Sequence, residues 1–107
     1  MNKVLMACAG AATLFAAGAA RAETIEVKID NFTFNPAQVT VHAGDTVIWV
    51  NHDDIPHTVT SKTQAFRSKA LDSDDRFSFT FTAPGSFAYF CSLHPHMTGT
   101  IVVEAAK

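Results

Sequence analysis

From Glu23 onward, apolar and polar positions alternate over short stretches, and almost nothing repeats at the helical period. Ile25, Val27 and Ile29 are separated by Glu26, Lys28 and Asp30, which predicts a first strand with one buried face. Gln38 to His42 predicts a second strand, Ala43-Gly44-Asp45 a turn, and Thr46 to Asn51 a third strand. His57 to Ser61, Arg76 to Thr82, Ser86 to Ser92 and Gly99 to Glu104 predict four more, with turns at Asp72-Ser73-Asp74-Asp75 and Ala83-Pro84-Gly85. Seven or eight short strands with regular turns predict an all-β fold, an antiparallel two-sheet sandwich with Greek-key connections. Lys62 to Leu71 fits an edge strand, a helical turn or a loop, and nothing functional is expected to depend on it.

Parity within these strands decides which side chains share a face. Phe77, Phe79 and Phe81 are expected in the core, with Ser78 and Thr80 turned away. Phe87, Tyr89 and Cys91 share a face, so Cys91 is directed toward an apolar interior at the end of its strand. Val47, Trp49 and Asn51 also share parity, which sends the Asn51 amide inward at the same pole.

The first residues follow a different pattern. Lys3 opens a charged segment, Val4 to Ala20 is apolar and small, and Ala20-Arg21-Ala22 is an Ala-x-Ala cleavage pattern, so residues 1–22 are expected to be an export signal. Lipoprotein processing at Cys8 is disfavoured, because only Val4 to Ala7 precede it and most of the apolar core follows. Cleavage leaves 107 − 22 = 85 residues, one small domain over 23–107 with no membrane insertion after the signal is removed. A domain of that size buries only about 60–65% of its unfolded surface, so bound metal would add noticeably to its stability. The signal takes Lys3 and Arg21 with it, leaving 8 − 2 = 6 Lys plus Arg against 10 Asp plus Glu, a net charge of −4. That balance disfavours nucleic acid as a partner and is compatible with docking to a basic protein surface.

Cysteine usage sharpens the picture. Cys8 leaves with the signal and Cys91 remains as the sole thiol, so no internal disulfide forms and dimerisation, reactivity or metal ligation must account for it. Cys91, His94 and Met97 then follow at three-residue steps, a thiolate, an imidazole and a thioether. With one more histidine these are the donors of an electron-transfer copper site, two imidazoles and a thiolate in a plane with a long axial thioether. His57 is the candidate, 34 residues before Cys91, and Pro56 and Pro95 stiffen the two ligand-bearing segments. Each residue alone has a plainer reading, Cys91 and Met97 as core and a lone histidine as surface, so the conjunction carries the assignment. Asn51 is expected to hold the His57 loop and to approach the Cys91 sulfur by hydrogen bonding. His42, His52 and His96 are expected at the surface, and the Asp53-Asp54 and Asp72 to Asp75 clusters read as solvated turns.

These residues resemble the cupredoxins, and two residues in both the Cys-to-His and His-to-Met gaps narrow the resemblance to the amicyanin branch, with pseudoazurin and plastocyanin also similar. Ala43 to Asn51, Pro56-His57, Phe81 to Gly85, Tyr89-Phe90-Cys91, His94-Pro95 and Met97 all look like their amicyanin counterparts. Two features depart from the branch: its usual N-terminal extension is missing, and His96 stands where a phenylalanine is common. The resemblance implies a periplasmic blue copper protein with one copper ion, which takes an electron from a dehydrogenase and passes it to a c-type cytochrome. His57, Cys91, His94 and Met97 match the ligand positions and Asn51 the neighbouring asparagine.

The expectation is therefore a monomeric one-electron shuttle with no catalytic residue. The outward edge of His94 is the electron port, ringed by Leu93, Pro95, Ile55 and Pro56. A periplasmic copper storage or delivery protein could use the same ligands. A copper enzyme would need further histidine-rich sites, and the chain has no His-x-His pair outside His94-Pro95-His96. A metal-free sandwich used for adhesion is the remaining alternative.

Overall fold

The alternating segment at the start folds as strand β1 (Thr24–Asp30), with Val27 and Ile29 fully buried and their charged neighbours exposed. The computed structural model describes residues 21–107, so the body of the expected export signal lies outside the described residues. Seven strands follow: β2 (Thr33–Asn35), β3 (Gln38–His42), β4 (Thr46–Asn51), β5 (Thr60–Ser61), β6 (Arg76–Thr80), β7 (Gly85–Cys91) and β8 (His94–Glu104). They form two four-stranded sheets, ordered β2-β1-β4-β6 and β3-β8-β7-β5, and no helix occurs among the described residues.

The sheets are mixed, which corrects the antiparallel expectation. Strand β1 pairs with β4 in parallel, and β3 pairs with β8 in parallel. The physical reason is the crossover: after β2 the chain leaves for the other sheet as β3, then returns as β4 to lie along β1 in the same direction. Alternation of side chains is the same in either direction, so the pattern carried no information on this point.

Register places the expected inward set together. Ile25, Val27 and Ile29 oppose Val47, Trp49 and Asn51. Trp49 forms the centre of the core, stacked on Phe66 at 5.8 Å and edge-on to Tyr89 at 5.4 Å. Phe77 and Phe79 are only half-buried because β6 is an edge strand, whereas Phe81 is fully inside.

Lys62 to Leu71 contains no named strand or helix, yet it is part of the core. Phe66, Ser68 and Leu71 are buried, and the segment doubles back on residues 57–61 through Ser61 N–H to Phe66 O (3.0 Å) and Ser68 N–H to Val59 O (2.8 Å). Consequently the expected strand His57 to Ser61 shortens to Thr60–Ser61, and His57 makes an isolated bridge with Leu71.

At the pole away from that bridge, Gly44 takes a φ of +102°, which an L side chain rarely adopts, and closes the turn into β4. Asp45 follows, 4% exposed, and its carboxylate accepts the backbone N–H groups of Glu23 and His42, both at 2.8 Å. Those two amides, Glu23 first, hold its carboxyl below the usual range. His42, expected free at the surface, is half-buried and lies 3.5 Å from the Glu104 carboxylate.

Candidate metal centre

Three donor atoms meet at the opposite pole. Cys91 ends β7, and Ser92-Leu93 form a two-residue turn that starts β8 at His94, so Cys91 and His94 face each other in the ladder. The register then jumps from Cys91–His94 to Phe90–Thr98, which loops residues 95–97 out of the pairing. This bulge resets parity, so that Met97 is buried with Cys91 in the core while His96 stays exposed. The predicted strands stop at Ser92 and resume at Gly99; the chain is instead paired on both sides of the bulge, Cys91 with His94 and Phe90 with Thr98.

His57 arrives from the other side. Its backbone exchanges two hydrogen bonds with Leu71 (3.1 and 2.7 Å), which makes the irregular 62–71 segment a structural support of the site. The ring is 0% exposed, and its Nδ1 lies 3.7 Å from the Cys91 Sγ, while the His94 Nδ1 lies 3.6 Å from the same sulfur. Ligand atoms of His57, Cys91 and His94 all lie within 4.8 Å of one another, a spacing that one ion between them satisfies.

The groups behind these donors fix their orientation. His57 Nε2 lies 2.8 Å from an Asp53 carboxylate oxygen. An ionised carboxylate only accepts, so Nε2 is the donor in this contact and Nδ1 is the ring nitrogen on the sulfur side. Partial burial pushes the Asp53 carboxyl upward, but the amides of Phe32 and Asn31 and the His57 ring prevail and hold it below the usual carboxylate range. Asp53 is therefore not the free turn residue that its sequence context suggested.

Asn51 secures the same loop. Its amide donates to the carbonyls of Ile55 (3.0 Å) and Leu71 (2.8 Å), and its oxygen accepts the Asp53 N–H (2.9 Å). Both amide hydrogens are thus engaged away from the sulfur. The hydrogen bond to the Cys91 Sγ comes instead from the Thr58 backbone N–H at 3.3 Å. Thr58 also accepts the Ser92 N–H on its hydroxyl oxygen at 2.7 Å, tying the His57 segment to the Cys91 turn.

Sequence reasoning missed three residues here: Asp53, Thr58 and Phe32. Phe32 is 48% exposed and stands edge-on to His57 (5.4 Å) and to His94 (5.2 Å). The only signal in the chain was a turn-forming Asn31 directly after the first alternating segment, with Phe32 following it. Of the residues expected to ring His94, Leu93 is 50% exposed, Pro56 and Pro95 are exposed and Ile55 is half-buried.

A buried cysteine sulfur with two imidazole nitrogens around it, and a methionine in the same core cluster, is a donor set that fits copper. The cupredoxin-like domain family matches this chain over residues 3–103, and the chain belongs to that family. It is similar to amicyanin of Paracoccus versutus, with 38% identity over 88 residues covering 78% of this chain and 67% of the relative. Amicyanin-alpha of Methylorubrum extorquens is 36% identical over 103 residues, covering 92% of this chain and 87% of the relative. Among solved structures, the Cu(I) form of an amicyanin variant superposes with a TM-score of 0.72 at 30% identity, covering 76% of this chain and 82% of that one.

Proposed function

We propose that this protein is a blue copper electron carrier of the periplasm, exported by residues 1–22 and working as a monomer. His57 Nδ1, Cys91 Sγ and His94 Nδ1, together with the Met97 thioether, would hold the copper ion. The observation that carries this reading is the convergence of one sulfur and two imidazole nitrogens within 4.8 Å at a buried pole. Copper, when bound, supplies the one-electron Cu(I)/Cu(II) couple.

What the chain's own residues do is hold still. Thr58 donates to the sulfur, Asp53 fixes the His57 tautomer, and Asn51 ties down the loop between them. Donors held this way need little rearrangement between oxidation states, which is the requirement for fast electron exchange. In this reading the half-buried His94 is the electron port, and the exposed Leu93, Pro95 and Pro56 with half-buried Ile55 supply its apolar rim. A small apolar rim suits a transient redox encounter, with a periplasmic dehydrogenase as donor and a c-type cytochrome as acceptor. Export is supported by the cleavage pattern and by Arg21 to Glu23, which lie exposed ahead of β1.

Adding Cu(II) to the metal-free mature protein should give a strong visible thiolate-to-copper band that disappears on reduction and returns on oxidation; zinc should give no colour. Absence of the band would refute the reading, and ready loss of copper to an acceptor without reversible cycling would favour storage or delivery. Leu93→Glu should slow electron exchange with its partners and leave the band unchanged.

A further inference from the structure

Phe32 is a large apolar ring left half in solvent, on a backbone that is costly for such a residue. Asn31 and Phe32 both take left-handed conformations, with φ of 51° and 58°, a region that bulky side chains rarely occupy. The Thr33 hydroxyl closes the turn on the Asp30 carbonyl at 2.7 Å, and both central amides go to one further group. The Asp53 carboxylate accepts the Asn31 N–H at 2.6 Å and the Phe32 N–H at 2.9 Å, and the same carboxylate holds the His57 Nε2. The ring so placed meets His57 and His94 edge-on, with interplanar angles of 85° and 88°. Because the two imidazoles are themselves only 4.9 Å apart, one aromatic side chain spans both.

We propose that Phe32 is a positioning residue: an aromatic cover anchored by Asp53, which restrains the His94 ring and shields the imidazole pair from water and small anions. The inference rests on the copper-carrier reading for its redox consequence, but its geometric part concerns the polypeptide alone. Asp53 links the two halves of the device, since the carboxylate that orients one ligand ring also seats the cover over both. Burial on one side only is what such a cover requires, as its outer face must remain at the surface where partners approach.

The test compares wild type with Phe32→Ala, Phe32→Leu and Asp53→Ala. In the metal-free protein, imidazole resonances followed by NMR should show a restrained His94 ring in wild type and a mobile one in Phe32→Ala. Phe32→Leu should restore much of the restraint. Asp53→Ala should weaken the contacts between the Phe32 and His94 protons, because the turn loses its anchor. In the Cu(II) protein, azide should produce a saturable spectral change in Phe32→Ala that is absent in wild type and reduced in Phe32→Leu. Unchanged His94 mobility together with unchanged azide response in Phe32→Ala would overturn the proposal, as would full retention of the Phe32–His94 contacts in Asp53→Ala. A wild-type protein that gives no coloured Cu(II) complex would sink the carrier reading instead, while the metal-free NMR comparison would still decide the cover.

Discussion

At the metal pole, Asn51 is fully buried and all three of its side-chain hydrogen-bond arms have partners, two carbonyls and one N–H. In the middle of the sandwich, Trp49 and Tyr89 are equally buried, yet neither the indole Nε1 nor the phenol oxygen makes a well-formed hydrogen bond, the two polar tips having at most a poor contact with each other. Burial pushes the Tyr89 phenol up to about 12, as expected for a group kept neutral in an apolar setting. The difference shows what each region is for. The pole specifies orientation, and only directional bonds from Asn51, Asp53 and Thr58 do that. The middle specifies volume, and a ring that packs well tolerates an unused polar tip.

The comparison is broken most completely by Cys91→Ala. The site loses its central sulfur, so Cu(II) should give no visible band at all, while far-ultraviolet circular dichroism of the strands stays as in wild type. Next in size is Gly99→Ala, which attacks the volume side. A Cβ there would meet the Tyr89 ring and hydroxyl at 2.5 Å, and Tyr89 is 0% exposed with nowhere to go. Overpacking of this kind costs ~1–3 kcal/mol, readable as a lowered midpoint in urea. Asn51→Ala attacks the orientation side and leaves two carbonyls and one N–H without their partner, a loss of ~1–3 kcal/mol. Unlike Gly99→Ala, it should also disturb the copper spectrum, because the His57 loop loosens.

The smallest effect is the sharpest discriminator. Tyr89→Phe removes an oxygen that makes no well-formed hydrogen bond, so stability should be unchanged or slightly raised within ~1 kcal/mol. A clear loss of stability would mean that the phenol has a partner after all, and the contrast between the two regions would fall.

Much of the site could be read from the chain because its donors obey simple rules. Cys91, His94 and Met97 sit at fixed spacing, and strand parity points Cys91 and Asn51 inward at one end. Residues whose role depends on contacts between distant turns could not be read. Asp53 in an acidic pair looks like solvated surface until the β1–β2 turn brings two amides to it. Thr58 acts on the sulfur through its backbone, where side-chain identity is silent. Residues 62–71 carry buried Phe66, Ser68 and Leu71 at uneven intervals, so neither period reveals them. The two parallel pairs within the expected two-sheet sandwich were not legible for a related reason, since direction is a property of the connections between strands.

At the far pole the Glu23 nitrogen rests 2.8 Å from the Asp45 carboxylate. Hydrolysis of the Ala22–Glu23 peptide at the proposed export boundary would change that nitrogen from an amide into an ammonium group. Maturation would then create a cation already seated beside its counter-ion, so the severed end of the polypeptide would be clasped at the instant it is made.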